Sequence, residues 1–271
     1  MRAPDRYPDA VHLQVLSSGS GGNCALVRAG DTSVLVDAGL PLVELDERFA
    51  AAAFAPANLD HVLVTHGHLD HARSAGALAR RERALLHTAA ALQSNASIRR
   101  AKSLNTLTVG ASARLPGRGG DDGLEATSVP LPHDALPTVA FRFDHAGRRA
   151  VILTDMGVPR REVASALRGA HVLVLEFNHD VDLVRHGPYP PALQRRILGN
   201  AGHLSNEQAA EMLDLLAGDE LHTLVLAHLS EKNNTRELAL ERAHAVLARR
   251  RMEHVRVLVA EQHAAGPNLE V

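Results

Sequence analysis

The chain has little of what marks exported or membrane-spanning proteins. It contains one cysteine, Cys24, in 271 residues, so it cannot form an internal disulfide, which suits a reducing compartment. No stretch approaches the roughly 18 consecutive apolar residues that a membrane-spanning helix needs. Residues 1–6 also lack the apolar region of a secretory signal. We therefore expect a cytoplasmic protein without a membrane partner.

The chain also lacks a large net charge. Its formal charge is −2 and its isoelectric point is about 6.8, so composition alone gives no sign of a polyanionic partner. The charges are unevenly distributed, however, because residues 72–118 contain nine lysines and arginines against a single acid, Glu82. This segment either forms a basic surface that attracts phosphates or is the solvated exterior of a helix, and the sequence leaves both open.

Metal-ligand side chains are concentrated in one short segment, HGHLDH at residues 66–71. The segment follows the strand-like apolar run 61–65 and precedes a helix-like stretch that begins at Ala72. A strand that ends in a loop and then a helix can direct two imidazoles toward one metal ion, and a carboxylate and an imidazole toward a neighbouring ion. Four ligands cannot complete two coordination shells, so further ligands must come from elsewhere in the chain.

Other ligand-type residues follow strand-like segments further along the chain. Side chains at strand ends are held on a rigid scaffold and face the loops, where α/β proteins build their sites. Prolines fix a turn just before one of them, and short apolar runs lead directly to the others. These additional ligand candidates are His133, Asp155 and His228, and a further strand-like run ends at another site-type carboxylate, Glu176.

This pattern, HxHxDH followed in order by single His, Asp and His residues, resembles the metallo-β-lactamase superfamily. The resemblance implies an α/β fold, the four-layer αββα sandwich, with two metal ions at its site. Mixed imidazole and carboxylate ligands suit Zn²⁺ and Mn²⁺ alike. Carried over by position, one ion would be held by His66, His68 and His133, the other by Asp70, His71 and His228, and both by a bridging Asp155.

The flanking segments resemble one branch of the superfamily more closely, the YycJ/WalJ-type exonucleases, which are described as acting on DNA. The similarity runs from about residue 12 to residue 250. It includes segments 17–23, 35–39, 176–180 and 202–206. The resemblance therefore implies a nuclease whose partner is nucleic acid, most simply DNA.

His203 and Glu176 look like the histidine and glutamate that the tRNase Z family places beside its metals for proton transfer. The implied mechanism has a water activated by two cations, with Asp70 among the metal ligands and His203, oriented by Glu176, giving a proton to the leaving oxygen. Because fold does not settle function, a small-substrate hydrolase remains an alternative. That class includes thioesterases, lactonases and cyclic-nucleotide phosphodiesterases. The His203–Glu176 pair favours a phosphodiester, since an alkoxide leaving group needs a proton more than a thiolate does.

Two further residues have two open interpretations each. Asp37 follows an apolar strand-like run, so it either orients a ligand histidine or forms a turn before Gly39. Tyr189 lies in the segment 185–196, which is rich in proline and arginine, and it either stacks on a base or fills space in the packing.

The length of 271 residues suits a single α/β domain over residues 1–271. Within that domain we expect the two ends, residues 1–10 and 262–271, to be loose. The segment 72–82 is predicted to be one helix, and Ser205 or Asn206 to cap another.

Overall fold

The computed structural model describes residues 7–117, 119–120 and 123–271, which form two seven-stranded sheets. The first sheet contains β1 (Tyr7–Ser17), β2 (Cys24–Gly30), β3 (Thr32–Val36), β4 (His61–Leu63), β5 (Leu85–Ala89), β6 (Leu104–Leu107) and β14 (Leu269–Glu270), in the order β14-β1-β2-β3-β4-β5-β6. The second contains β7 (Ser112–Leu115), β8 (Leu124–Leu131), β9 (Thr138–His145), β10 (Arg148–Leu153), β11 (Val172–Glu176), β12 (Thr223–Ala227) and β13 (Arg256–Val259), in the order β13-β12-β11-β10-β9-β8-β7.

Helices connect the strands and cover the outer faces of the sheets. They are α1 (Leu42–Ala51), α2 (Leu69–Ala72), α3 (Ala75–Glu82), α4 (Arg161–Leu167), α5 (Val181–His186), α6 (Pro191–Ile197), α7 (Asn206–Leu216) and α8 (Arg236–Arg249), with short 3₁₀ turns at Pro56–Asn58 and Ala90–Leu92. Among the helices of the described residues, none combines the length and the apolar character that crossing a bilayer requires.

The central parallel strands are buried on both faces, and their side chains sort by size between two cores. On β11, Val172 and Val174 face the other sheet, whereas Leu173 and Leu175 face the helices of the second sheet. Strand β12 repeats this alternation. Strands buried on both faces read as continuous apolar runs, which is why the sequence reveals these strands so clearly. A third core lies between the first sheet and its helices α1 and α3. The predicted αββα sandwich is therefore confirmed.

Parallel strands bring their carboxyl ends to one edge of each sheet. Strands β3 to β6 are parallel in the first sheet, and β10 to β13 are parallel in the second. Loops that leave these ends lie at a common edge of the sandwich, where α/β proteins bind their ligands. This topology gathers residues that are far apart in the chain.

The helix after the histidine-rich segment differs from the prediction. The expected helix over 72–82 is divided, because α2 ends at Ala72 and α3 starts at Ala75. The short helix α2 lets the loop turn sharply and brings Asp70 close to the backbone of Gly39. Only glycine fits there, because a Cβ at position 39 would lie 1.7 Å from the Asp70 carbonyl oxygen. The predicted cap is observed, since the Ser205 hydroxyl accepts a hydrogen bond from the Gln208 N–H at the start of α7.

The two ends that were expected to be loose are paired in part. Strand β1 begins at Tyr7, while residues 1–6 lie outside the described part of the chain. At the other end, Leu269 pairs with Leu13 of β1, and the Val271 N–H donates to the Val11 carbonyl at 2.8 Å. Leu269 and Val271 are buried in the core between the sheets. Two alternating apolar residues are too few to reveal a strand in the sequence. That residues 1–271 form a single domain stays a prediction.

Candidate metal centre

Histidines and carboxylates from both sheets converge where the parallel strands end. The loop after β4 and the helix α2 supply His66, His68, Asp70 and His71. The second sheet supplies the others from three strands, because His133 follows β8, Asp155 follows β10 and His228 follows β12 directly. The structure thus brings all seven predicted ligand residues together. Their role as ligands stays a prediction.

The first group contains three imidazoles. His66, His68 and His133 each direct a ring nitrogen to a common point, with these atoms within 4.8 Å of one another. The His133 Nε2 atom lies 3.3 Å from His68 Nδ1, and the His66 and His133 ring centroids are 5.1 Å apart. Three nitrogen donors around one point form the kind of half-shell that a divalent cation completes with water or substrate.

The second group contains a carboxylate and two imidazoles. The Asp70 Oδ2 atom lies 3.4 Å from His71 Nε2 and 3.7 Å from His228 Nε2. Both rings are fully buried or nearly so, whereas Asp70 reaches the surface of the cleft. A cation bound here would be open to solvent on one side only.

Asp155 joins the two groups from a buried position. Its Oδ2 atom lies 3.2 Å from His71 Nε2 in the second group, and its Oδ1 atom lies 4.0 Å from His133 Nε2 in the first. One carboxylate that faces both donor groups is suited to bridging two cations.

The neighbours of the imidazoles fix which nitrogen faces inward. His71 Nδ1 donates to Asp37 at 2.7 Å, and His133 Nδ1 donates to the Gly202 carbonyl at 2.9 Å. His228 Nδ1 is held at 3.0 Å by Glu176. Each contact leaves Nε2 to point into the cluster, which is how proteins orient imidazole ligands. Asp37 therefore orients a histidine, the first of its two interpretations, while also accepting from the Thr65 amide at 2.8 Å.

Unpartnered buried atoms test whether these residues fit a cation. Within the described part of the chain, His66 Nε2, His228 Nε2 and Asp155 Oδ2 are buried and have no hydrogen-bond partner. A buried polar atom without a partner is unfavourable by roughly 1–3 kcal/mol. Three such atoms within one cluster of imidazoles and carboxylates fit a site for divalent cations, whose positive charge would satisfy all of them.

Charge within the cluster favours cations as well. Burial alone would lower the pKa of His228, but neighbouring carboxylates, Asp155 first among them, raise it to about 10. The pKa of His71 is likewise raised well above its ordinary value, because Asp155 and Asp37 outweigh the effect of burial. Conversely, His228 and His71 hold the pKa of Asp155 well below its usual range although burial acts against this. The interior of the cluster is therefore a place where positive charge is stabilised.

Three of the residues that build the centre have left-handed backbone. Asp37, Asp155 and His228 directly or nearly follow strand ends and have φ angles of 61°, 63° and 55°. Non-glycine residues adopt this conformation at some energetic cost, although Asp and His tolerate it better than most. The sharp change of direction turns each side chain away from the sheet and into the cluster.

His203 and Glu176 form a buried-to-exposed pair beside the cluster. The Glu176 Oε1 atom accepts from His203 Nδ1 at 2.8 Å, and its Oε2 atom accepts from the Met156 and Leu204 amides. Glu176 is fully buried, whereas the His203 side chain is 19% exposed and lines the cleft. Coulombic and hydrogen-bond contacts with His203 and His228 overcome burial and lower the pKa of Glu176 to about 2. Glu176 therefore contacts both His203 and His228 from behind and does not itself line the cleft.

Several supporting residues were not identified from the sequence. The Thr65 hydroxyl lies 3.0 Å from His66 Nδ1, and the Asn178 amide donates to the His228 carbonyl at 2.8 Å. The Ser18 hydroxyl accepts from the His228 amide at 2.8 Å, and the Asn23 amide lies 3.0 Å from His71 Nε2. The glycine-rich segment 17–23, which contains Ser18 and Asn23, therefore supports the cluster with its side chains. The contacts of Asn178, Ser18 and Asn23 are not signalled by a local pattern, because each joins distant parts of the chain.

A cleft of about 310 Å³ opens onto the cluster. Asp70, Asp155, His203 and His228 line its floor, and the segment around α6 forms one wall. At its mouth an ion pair crosses from the loop after β8 to α6, since Arg196 Nε lies 2.5 Å from Asp134 Oδ2.

Comparison with known proteins identifies the family. The model of the β-lactamase superfamily domain matches residues 32–229, which is most of the chain. The chain belongs to the metallo-β-lactamase superfamily. The resemblance expected from the HxHxDH pattern is therefore confirmed. Together with the His and Asp cluster, this metallo-β-lactamase membership identifies a metal-dependent hydrolase.

Similar sequences narrow the branch within the metallo-β-lactamase superfamily. The chain is 32% identical over 243 residues to the exodeoxyribonuclease YycJ of Bacillus anthracis, covering 84% of this chain and 86% of that protein. It is 33% identical over 231 residues to the exodeoxyribonuclease WalJ of Streptococcus pneumoniae serotype 2, covering 83% and 84% respectively. The YycJ/WalJ branch is thereby confirmed.

A solved structure agrees with the metallo-β-lactamase fold. The metallo-β-lactamase fold protein YhfI from Bacillus subtilis superimposes with a TM-score of 0.69, covering 97% of this chain and 100% of that one. Its sequence is 18% identical, so the likeness concerns the fold alone.

Proposed function

We propose that this chain is a DNA exonuclease that uses two divalent cations, Zn²⁺ or Mn²⁺. The observation that carries the proposal is the identity of its relatives, since YycJ and WalJ, at 32% and 33% identity, are both named exodeoxyribonucleases. Their named activity belongs to them, and it is extended to this chain because the cleft here has the groups that phosphodiester cleavage needs.

Two donor groups joined by one carboxylate support a two-ion centre. Asp155 faces both groups, with one oxygen near His71 and the other near His133. When bound, a pair of divalent cations lowers the pKa of coordinated water and polarises phosphoryl oxygens. The residues that would hold the ions are His66, His68, Asp70, His71, His133, Asp155 and His228.

His203 is the group that this chain offers for proton transfer. Glu176 holds the His203 Nδ1 atom at 2.8 Å, which fixes the ring and leaves Nε2 for the cleft. Imidazole exchanges protons near neutral pH and can protonate the alkoxide that leaves a cleaved phosphodiester. This pairing favours a phosphodiester over a thioester, whose thiolate leaves without a proton.

Basic residues on a loop that contacts the HGHLDH segment support a nucleic-acid substrate. The loop that follows the Ala90–Leu92 turn contacts the HGHLDH segment, since the Asn95 amide donates to the Gly67 carbonyl at 3.2 Å. The same loop carries Arg99 and Arg100 exposed to solvent. Exposed arginines on a protein surface attract the phosphates of a polynucleotide. The basic segment 72–118 thus has a natural role in an otherwise neutral chain.

One observation favours the alternative class. The cleft of about 310 Å³ lies at the lower limit of the range for small-molecule pockets. A small-substrate hydrolase, such as a thioesterase, a lactonase or a cyclic-nucleotide phosphodiesterase, would also fit. An exonuclease that admits only the end of a strand also needs a cleft of no more than this volume.

The deciding experiment incubates the metal-loaded protein with end-labelled single- and double-stranded DNA and RNA, in Zn²⁺ and in Mn²⁺. We expect mononucleotides to be released from the ends of DNA. The Asp70→Ala protein should release none, whereas His254→Ala, which changes an exposed histidine far from the motif, should match the native protein.

Two outcomes would contradict the proposal. Rapid hydrolysis of a thioester or a lactone, with every polynucleotide intact, would favour the small-substrate class. Cleavage that persists unchanged in the Asp70→Ala protein would point to a contaminating nuclease.

A further inference from the structure

Aromatic side chains are scarce in this chain and nearly all are in the cores. The sequence contains no tryptophan, five phenylalanines and two tyrosines. All five phenylalanines are buried. Of the phenylalanine and tyrosine side chains that the structure describes, Tyr189 alone is not buried, and it lines the metal cleft. Among the side chains that the structure describes, the one phenyl or phenol ring outside the cores therefore lies in the cleft.

The backbone holds Tyr189 in a restricted conformation. Prolines at positions 188, 190 and 191 surround it, and proline fixes φ while restricting the residue before it. The Tyr189 carbonyl accepts from the Gln194 amide at 3.0 Å. The Lys232 ammonium lies over the ring, 5.6 Å from its centroid. A ring presented on a stiff segment loses little freedom when a ligand binds, which favours stacking.

An exposed apolar side chain lines the same cleft. Leu69, which lies between the candidate ligands His68 and Asp70, is 57% exposed. It shares the cleft with Leu193 and Ile197 of α6. A single exposed leucine is unremarkable on a protein surface, but an apolar side chain among metal ligands is otherwise unexplained by their chemistry. Together with Tyr189, it gives the cleft apolar surface suited to a flat ring.

Arg196 adds a cation to the same wall. Its Nε atom contacts Asp134, and no described residue hydrogen-bonds its two Nη groups. The side chain is 53% exposed and lines the cleft. Guanidinium groups bind phosphate oxygens in pairs of hydrogen bonds, and the Nη groups are free for this contact.

We propose that Tyr189, Leu69 and Arg196 form a subsite for the terminal nucleotide of the substrate. The base stacks on the Tyr189 ring and packs against Leu69, while Arg196 binds the phosphate. This inference rests on the proposed nuclease function. A cleft of about 310 Å³ has space for one nucleotide rather than a duplex, which explains why the enzyme would act at a strand end.

The subsite distinguishes a strand end that carries its base from one that has lost it, which the metal ions cannot do. Every base has a flat face, so stacking accepts all four bases, but an end that lacks its base loses the contact. Removal of one stacking contact weakens binding by about 5- to 150-fold. We therefore expect little sequence preference and strong discrimination against abasic ends.

The test measures binding without turnover. Metal-loaded protein is titrated calorimetrically with deoxyadenosine 5′-monophosphate and with 2-deoxyribose 5-phosphate, which differ only by the base. We expect the nucleotide to bind at least about 5-fold more tightly. The Tyr189→Leu protein should lose most of this preference, and Tyr189→Phe, which keeps the ring, should retain it. Equal binding by the native protein, or an unchanged preference in Tyr189→Leu, would overturn the stacking role.

A second pair of variants tests the phosphate contact. Arg196→Gln should weaken both ligands by about tenfold, because the phosphate is common to them. Arg195→Gln, which removes an exposed neighbouring charge outside the cleft, should change neither. Equal effects of the two variants would overturn the role of Arg196. These binding measurements need no cleavage. The subsite can therefore be disproved while DNA is still degraded, and it can be supported even if DNA is not degraded.

Discussion

Two groups of buried histidines lie near opposite ends of strand β4 and differ in how their nitrogens are used. His61, the first residue of β4, lies 2.9 Å from the His87 ring, and its other nitrogen donates to the Pro116 carbonyl at 2.9 Å. The Asn105 amide donates to the remaining His87 nitrogen at 3.2 Å. Every ring nitrogen of this pair has a partner. Beyond the other end of the strand, the His66 Nε2 atom has none among the described residues.

The difference shows that burial and clustering do not identify a ligand histidine. His61, His66 and His87 are all buried. The His61–His87 pair is a closed chain of hydrogen bonds between neutral rings. No ring nitrogen of this pair is left to bind a cation. The metal cluster has open nitrogens that face carboxylates. Unfilled hydrogen-bonding capacity beside negative charge therefore distinguishes a binding site from a satisfied core.

The largest effect should come from removing the carboxylate that joins the two donor groups. Asp155→Ala should lose bound metal and reduce DNA cleavage by roughly 10⁴-fold or more, because metal ions contribute several kcal/mol to the transition state. Elemental analysis of the purified protein together with turnover measures both effects. His87→Gln, at the closed pair, should keep its metal. Full metal content in Asp155→Ala would remove the distinction between the two groups.

Next in size is the loss of the proton donor. His203→Ala should lower kcat by about 10²- to 10³-fold and keep its metal, because general acid catalysis is removed while the ligands remain. Metal content and kcat are measured on the same preparation, with His254→Ala as the control. Loss of metal in His203→Ala would instead make this histidine a ligand.

A smaller effect is expected from the residue that orients His71. Asp37→Asn should weaken metal binding by about 10- to 100-fold, since the amide no longer favours the His71 tautomer that directs Nε2 inward. Competition with a chelator measures the affinity. Asp219→Asn, an exposed substitution far from the cluster, serves as the control. Equal affinities would mean that Asp37 supports the loop only.

The smallest effect concerns the His61–His87 pair and is a change in the free energy of unfolding with pH. Burial, with a contribution from His61, lowers the pKa of His87 from 6.5 to about 4. As the pH falls, His87 takes up a proton in the unfolded chain before it does so in the folded protein. The folded protein is therefore fully stable above pH 6.5 and loses stability as the pH falls toward 4. From pH 7.5 to 5.5, the native protein should lose about 1 kcal/mol more than His87→Gln. Urea unfolding at both pH values tests this, and parallel losses would contradict it.

The sequence predicts features that are local. Continuous apolar runs reveal the parallel strands β10 to β12, and HGHLDH reveals half of the cluster because its ligands are adjacent in the chain. Ligand assignments at His133 and His228 depended on family resemblance, since spacing alone does not show which strand ends meet. Membership of the superfamily was therefore predictable in full, and the geometry of the site only in part.

Features that depend on contacts between distant residues were missed. Ser18 and Asn178 support His228 through hydrogen bonds that no sequence pattern predicts. The ion pair of Asp134 with Arg196 joins residues 62 positions apart. The last strand, β14, is short and gains its stability from the edge of β1, so its own sequence resembles a tail. Tertiary contacts decided each of these features.

Left-handed backbone has a practical consequence for anyone who wishes to make this enzyme more robust. Among the described residues, four other non-glycine residues share the positive φ seen at Asp37, Asp155 and His228: they are Ala53, Arg83, Ala146 and Arg251. Replacing those four with glycine relieves steric conflict without touching a ligand, although it also loosens the unfolded chain. At the three strand ends the same exchange would delete the working side chain. Tolerance to heat can therefore be improved in these four turns, while the turns that direct the candidate ligands must keep their strain.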